Sequence, residues 1–432
     1  MWTLLLDHML SNFLPFGNLT VKHEDGTRRR YGDGSGPALG ITLRRGATRQ
    51  LVLNPDMALG SSYTDGLLQI DGDDLPGLLA LVVQADMQGP AAWWQGIARA
   101  ARRAARMAQT LNDQVQARRN VAHHYDLTGD LYAAFLDADR QYSCAYFRSP
   151  DDTLDRAQAQ KKAHVAAKLC LRPGMRVLDI GCGWGGMAIT LARDHGARVT
   201  GITLSSEQLA YAQARVAAEG LSDRIDLRLC DYRAITGSFD RIVSVGMFEH
   251  VGTAQYQAYF SLIRRLLTPD GIALVHTIGR SAPPAGTNPW IARNIFPGGY
   301  VPAMSEVTRA IEKAGLWMAD IESLRLHYAL TLQHWRARFE AAQTHLPPHL
   351  DDRFRRMWRF YLTASEMSFR HGRQAVFQYQ LSRRIDAVPI TRDYLYRGDA
   401  QAGAAPAATP PAASATASDA ASTAASTLAA AQ

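Results

Sequence analysis

The chain has 432 residues, of which 47% are apolar and 20% charged, the balance of an ordinary globular protein with room for two or three domains. Its four cysteines form no CxxC pair, which argues against a zinc cluster or a disulfide framework and fits a reducing cytosol. A net charge of +7 (47 basic residues against 40 acidic) favours an anionic partner without identifying it, and no apolar run reaches 18 residues, so any lipid contact is expected to be peripheral.

In chain order, MWTLLLDHMLSNFLPF carries Asp7 and His8 and lacks a basic start, so it does not read as a signal peptide. Residues 1–90 mix Gly/Asp-rich turns with short apolar runs such as GITLRRG, and predict a small accessory domain of strands followed by helices. Residues 91–119 predict a basic linker helix in which Arg99, Arg102, Arg103 and Arg106 share one face beside Trp93 and Trp94. Such a face is either a solvated linker or a contact for anionic headgroups.

Between 170 and 280, RVLDI (176–180), ARVTGIT (197–203), IDLRL (225–229), DRIVSVG (240–246) and IALVHTI (272–278) predict strands separated by helices. That alternation implies βαβ units and a parallel sheet. Residues 281–370 read as loop and helix, and AVFQYQLSR (375–383) as a late strand closing the sheet. From 399 to 432 the composition falls to Ala, Ser, Thr and Pro, too poor to bury a core and expected to be disordered.

The first strand runs into GCGWGG, with glycines at 181, 183, 185 and 186 that allow a tight turn and close approach of a ligand at a helix start. The spacing is GxGxGG rather than GxGxxG, and Thr203 and Ser205 stand where a dinucleotide enzyme places a ribose-binding acid. VLDIGCGWGG instead resembles the first motif of S-adenosylmethionine-dependent methyltransferases; Asp231 and Tyr232 then fall where such enzymes hold the adenine. The strand DRIVSVG ends in Glu249 and His250, a costly place for a carboxylate unless something at the sheet edge needs it.

The stretches YDLTGDLYAAFLDADRQYSCAYF, VLDIGCGWGG, GITLSSEQ, DRIVSVGMFEHVG, HTIGR, NPWIARNIFPGGYVP and HYALTLQHW together resemble cyclopropane-fatty-acyl-phospholipid synthases over roughly residues 120–385. The resemblance implies an α/β fold: a Rossmann-like class I methyltransferase domain at 120–398 with a mostly parallel seven-stranded sheet, behind a smaller α+β domain used for lipid binding or dimerisation. It implies S-adenosylmethionine as methyl donor, a bound bicarbonate as base, and the cis double bond of a membrane phospholipid as acceptor. It implies a bicarbonate pocket at Cys144, Glu249, His276, Ile278 and Tyr328, and a cofactor site at Tyr142, Ser143, Gly181, Gly183, Thr203, Leu204 and Gln208. Tyr142, Tyr146, Phe147 and Phe248 are candidates to face a developing cation, whereas His250 is expected to point elsewhere.

Members often carry a cysteine in the stretch matching YLTASEMSFR, where this chain has Ser365; a thiol base would be lost here, and a bicarbonate base would not. The family setting is cytoplasmic, at the inner face of the membrane, with the arginine stripe, Trp93, Trp94 and WIARNIFPGGYVP as candidate contacts and a homodimer as a possibility. Competing readings are a methyl-branched or methylene product, a small-molecule methyltransferase, and a non-catalytic lipid-binding module. NPW at 288–290 follows the fifth strand and lacks a second proline, which speaks against a nucleic-acid methyltransferase.

Overall fold

The structure is a computed structural model and describes residues 1–88 and 129–396; the basic segment 91–119 and the tail 399–432 lie outside the described residues. The chain opens with a helix, α1 (Trp2–Phe13), not with the strand expected. Then come β1 (Leu19–Lys22), β2 (Arg28–Tyr31), β3 (Leu39–Leu43), α2 (Ala47–Leu53), α3 (Pro55–Thr64), β4 (Leu68–Ile70) and α4 (Leu75–Gln88). The strands form one sheet in the order β2-β1-β3-β4, parallel only between β1 and β3. Asp7 is buried on α1: it accepts from the Tyr31 hydroxyl and lies 3.1 Å from both Arg29 and His23, which ties the helix to the sheet. Asn54 caps α3 by accepting from the Met57 N–H, with Pro55 at the first helical position.

The second sheet grows from α5 (Gly129–Phe135), α6 (Leu154–Lys168), β5 (Arg176–Ile180), α7 (Gly186–His195), β6 (Arg198–Thr203), α8 (Ser206–Ala218), β7 (Ile225–Leu229), β8 (Phe239–Val245), α9 (Tyr256–Leu266) and β9 (Leu267–Arg280). It is completed by α10 (Pro289–Asn294), α11 (Met304–Ala314), β10 (Trp317–Ser323), α12 (His327–Ala342), α13 (Asp352–Arg370) and β11 (Gln374–Ser382). The order is β10-β11-β9-β8-β5-β6-β7, with β11 antiparallel to both its neighbours and the rest parallel. Val177, Leu178 and Ile180 of β5 are at most 1% exposed, as expected of a central strand covered on both faces.

All six strands predicted for this sheet are present. The seventh, β10, falls inside the segment read as loop and helix. Its sequence WMADIES buries only Asp320, so this edge strand lacks the apolar alternation by which strands are recognised. NPW is a helix start: Asn288 accepts from the Trp290 and Ile291 N–H groups with Pro289 behind it, and Trp290 is 2% exposed, which removes it as a membrane contact.

The N-terminal elements seat directly on the helices above the second sheet. Arg359 of α13 donates to the Tyr63 hydroxyl at 2.9 Å and to Asp73 at 2.6 Å, and its Nε reaches Glu340 at 2.7 Å. Gly60 of α3 faces the Trp290 indole so closely that a Cβ would lie 2.7 Å from Nε1. Alanine in mid-helix normally gains about 0.5–1 kcal/mol over glycine, but overpacking a rigid buried ring costs about 1–3 kcal/mol. Gly60→Ala is therefore expected to lower stability by about 1–2 kcal/mol, read as a fall in denaturant midpoint; an unchanged or raised midpoint would show that the contact is not tight.

Candidate active site

The strand ends of the second sheet create two cavities that share a wall. The first forms around the glycine loop. Gly181, Gly183 and Gly185 have φ of +86°, +52° and +84°, a conformation L side chains rarely adopt, and the N–H groups of Gly181 and Cys182 both donate to the Ile202 carbonyl at 2.9 Å. Around the loop, all nine residues expected at a cofactor site line this cavity: Tyr142, Ser143, Gly181, Gly183, Thr203, Leu204, Gln208, Asp231 and Tyr232. Thr203 Oγ1 donates to Gln208 Oε1 at 3.0 Å, and Ser205 caps α8 by accepting from the Gln208 N–H. Asp231 is clasped by Arg233 at 2.7 Å.

Asp179, at the end of β5, also lines the cavity. It is 2% exposed, burial pushes its carboxyl up to about 7, and Oδ2 has no hydrogen-bond partner among the described residues. The positive-φ cradle, this orphaned acceptor and the adjoining Asp231 fit a ligand carrying a cation, hydroxyls and a flat base.

The second cavity holds about 660 Å³, within the range of drug-sized ligand sites. Cys144, Glu249, His276, Ile278 and Tyr328 all line it, together with Ser365. Apolar side chains of the N-terminal elements, such as Leu6, Leu10, Phe13, Ile41 and Leu78, form much of the rest. Tyr142, Ser143, Gly246 and His250 line both cavities, so the two meet there. His250 thus stands at the junction rather than pointing away, and burial pushes its ring down to about 4, so it is neutral.

Glu249 sits in a single 3-10 turn just past β8 and is 8% exposed. Its Oε1 accepts from the Ile278 N–H at 2.6 Å, whereas the nearby Thr277 hydroxyl donates instead to the Ile278 carbonyl. Oε2 has no partner among the described residues. Burial pushes the carboxyl up to about 7, against the lowering effect of the Ile278 N–H. On β9, His276 is 2% exposed; its Nδ1 is met by the Gln378 amide nitrogen at 3.1 Å, and Nε2 has no partner among the described residues. Burial, reinforced by Lys161, Lys168 and His164, holds the ring well below its usual range and therefore uncharged.

The Cys144 thiol is 1% exposed and burial pushes it far up, so it is no thiolate nucleophile at neutral pH. Tyr328 packs edge-on to Trp335 at 5.7 Å and against Phe369 at 4.8 Å. Of the aromatics considered for a cation, Tyr142 lines the cavity, stacked on Trp335 and sharing a 2.7 Å hydrogen bond with Tyr361. Tyr146 and Phe147 instead stack on histidines, Tyr146 on His164 and His327 and Phe147 on His334. Phe248 is core, against Tyr256, Tyr259 and Phe260.

The strap carrying Tyr142, Ser143 and Cys144 is held by residues the sequence did not single out. Lys161 of α6 is fully buried; Nζ donates to Gln141 Oε1 at 2.6 Å and Ser143 Oγ at 2.8 Å, and burial pushes it down to about 8. One turn earlier, Gln158 donates to the Ser143 carbonyl at 2.9 Å. From the other side, Thr331 accepts from the Ala145 N–H at 3.0 Å and His327 from the Phe147 N–H at 3.0 Å. In LDRAQAQKKAHVAAK the i, i+3 spacing of Gln158 and Lys161 is the only sign of this role, and it is the same on any solvated helix.

Residues 112–379 match the family model described as "Mycolic acid cyclopropane synthetase". The chain is 36% identical over 399 residues to a "Probable fatty acid methyltransferase" of Pseudomonas putida, covering 88% of this chain and 96% of that one. It is 38% identical over 360 residues to the "Cyclopropane-fatty-acyl-phospholipid synthase" of Escherichia coli K12, covering 80% and 91%. Among solved structures, the mycolic acid cyclopropane synthase CmaA1 complexed with SAH and CTAB aligns with a TM-score of 0.59 at 34% identity, over 63% of this chain and 99% of that one. The fold, the glycine-loop cavity and these likenesses agree: the chain belongs to the mycolic acid cyclopropane synthetase family of S-adenosylmethionine-dependent methyltransferases.

Proposed function

We propose that this enzyme closes a cyclopropane ring on the cis double bond of unsaturated acyl chains in membrane phospholipids, with a bound bicarbonate accepting the proton that is lost. The observation that carries this reading is the pair of buried, unpartnered polar atoms, Glu249 Oε2 and His276 Nε2, in two residues that line an otherwise largely apolar cavity adjoining the glycine-loop cavity. The printed names of the Escherichia coli and Pseudomonas putida relatives point to the same substrate class.

S-adenosylmethionine supplies an electrophilic methyl group; Asp179, Asp231, Thr203, Gln208 and the glycine loop are the residues that would hold it. The alkene carbon bonds to that methyl as its bond to sulfur breaks, leaving a cation on the acyl chain. Loss of a proton from the added methyl then closes the ring. An alkene is a weak nucleophile, so alignment supplies most of what the protein can give. The apolar walls from the N-terminal elements keep water from the cation, and Tyr142 presents a ring to it.

Bicarbonate would supply the base. Ionised Glu249 would accept its hydroxyl hydrogen, while His276 Nε2–H and the Tyr328 hydroxyl would donate to its oxygens. Arg280 and the exposed Arg373 line the same cavity with Asp86, a charged wall suited to a phospholipid headgroup. Among the described residues no helix is long and apolar enough to cross a membrane, and docking on the cytoplasmic face through the basic segment 91–119 is part of the proposal.

Removing dissolved bicarbonate is expected to depress turnover, and adding it back to restore it. Glu249→Gln is expected to lose about 100-fold in turnover, the scale for one preorganised polar group, with cofactor binding unchanged; near-normal turnover would sink the role. Because Glu249 must be ionised to accept, wild-type kcat/KM at fixed bicarbonate is expected to rise with pH through about 7.

Stability should move the other way. The folded carboxyl lies at about 7 against an ordinary 4.5, so its contribution to stability is present below 4.5 and declines as pH rises towards 7. Glu249→Gln removes that decline. Its advantage over wild type in chemical denaturation is expected to widen across this window, to at most about 3 kcal/mol at 1.36 per pH unit, and then level off; a constant gap would contradict the burial-shifted carboxyl.

A further inference from the structure

We propose that Gln378 is a positioning residue: its amide fixes His276 as the Nε2–H tautomer, so that the ring presents a hydrogen-bond donor to the cavity. This rests on the reading of the cavity as an anion site. Gln378 of β11 is directly opposite His276 of β9 in the sheet register, is fully buried, and places its amide nitrogen 3.1 Å from Nδ1. A neutral imidazole carries one proton, and a nitrogen that accepts a hydrogen bond does not bear it. With Nδ1 accepting, the proton is on Nε2, the atom that lacks a partner among the described residues in a side chain lining the cavity.

The neighbouring glutamine shows what a purely structural amide looks like here. Gln380, two residues along the same strand, donates to the Lys168 carbonyl at 2.6 Å and accepts from the Tyr394 hydroxyl at 2.9 Å. Gln378 spends its nitrogen on His276, and its Oε1 has no partner among the described residues. Gln158 of α6 is likewise buried with an unpartnered Oε1 among the described residues, but its nitrogen goes to a backbone carbonyl, whereas that of Gln378 goes to the one ring nitrogen whose role sets the tautomer. Burial of the ring first of all, and then Lys161, Lys168 and His164 of α6, oppose a second proton, with Glu322 of β10 offsetting them in part. Lock and surroundings act together: the amide chooses which nitrogen holds the proton, and burial, reinforced by the neighbouring lysines, keeps it to one.

The test is long-range ¹H–¹⁵N correlation of the full-length enzyme labelled at histidine, with the His276 signal identified by its absence in His276→Asn. The expected spectrum shows protonated Nε2 and bare Nδ1. Gln378→Glu is isosteric: when ionised, the new carboxylate accepts from Nδ1 and moves the proton there. Its turnover is expected to fall about 100-fold at high pH, with cofactor and lipid binding unchanged. Turnover relative to wild type should recover as pH falls and the protonated carboxyl donates to Nδ1 again. Protonated Nδ1 in wild type, or a variant that keeps Nε2–H at every pH, overturns the proposal. If the variant does not fold, the wild-type spectrum decides alone. A spectrum showing Nε2–H with no response to added bicarbonate supports the lock and counts against the anion reading, so the two fail separately.

Discussion

The site depends on one buried carboxylate. Glu249 leaves the end of β8 at a point where it is almost wholly buried, and the Ile278 N–H holds its Oε1 at 2.6 Å. A carboxylate in such surroundings costs several kcal/mol unless it is paired or protonated, and its elevation to about 7 expresses that cost. The geometry around it follows from the sheet. Only because β9 runs parallel beside β8 does its backbone offer Ile278 to Glu249, and the same register sets His276 opposite Gln378 of β11. A polar pair is thereby built into an apolar wall, and Cys144 on the same wall is held as a neutral thiol.

The two cavities divide the labour along the same sheet edge. On the β5–β7 side, glycines with positive φ and the orphaned Asp179 make room for a cofactor; on the β8–β11 side, helices α12 and α13 and the N-terminal elements make room for something long and apolar. The strap from Tyr142 to Cys144 forms the partition. Tyr142 and Ser143 border both cavities, so side-chain packing is supplemented by polar ties. Lys161 and Gln158 beneath it and Thr331 behind it fix the strap's backbone and hydroxyls. A fully buried lysine is costly to place, and here Gln141 Oε1 and Ser143 Oγ satisfy it.

Much of this was legible in the chain. The glycine loop, Thr203 in place of an acid, and Asp231 and Glu249 at successive strand ends all carry local signals: a turn chemistry, a missing charge, a charge where none is cheap. They converge because parallel strands bring their carboxyl ends to one edge. The residues that escaped notice act through partners distant in sequence. Lys161 and Gln378 look like ordinary polar positions on a helix and an alternating strand, and only the fold shows them buried against Ser143 and His276. His250 was misplaced because neighbours in a strand point to opposite sides, whereas a 3-10 turn after β8 lets both Glu249 and His250 face the cavities. Strand β10 escaped because an exposed edge needs no apolar alternation.

In the proposed reaction the apolar cavity receives an unsaturated acyl chain of a phospholipid beside the methyl donor. Mass spectrometry of vesicles containing cis-monounsaturated phospholipids, incubated with the full chain and S-adenosylmethionine, tests it most directly. The expected products are acyl chains heavier by one CH2 with the double bond gone, and fragmentation that places a ring where it was. Unchanged lipids in the presence of tight cofactor binding would contradict it and favour a small-molecule methyltransferase on the same fold.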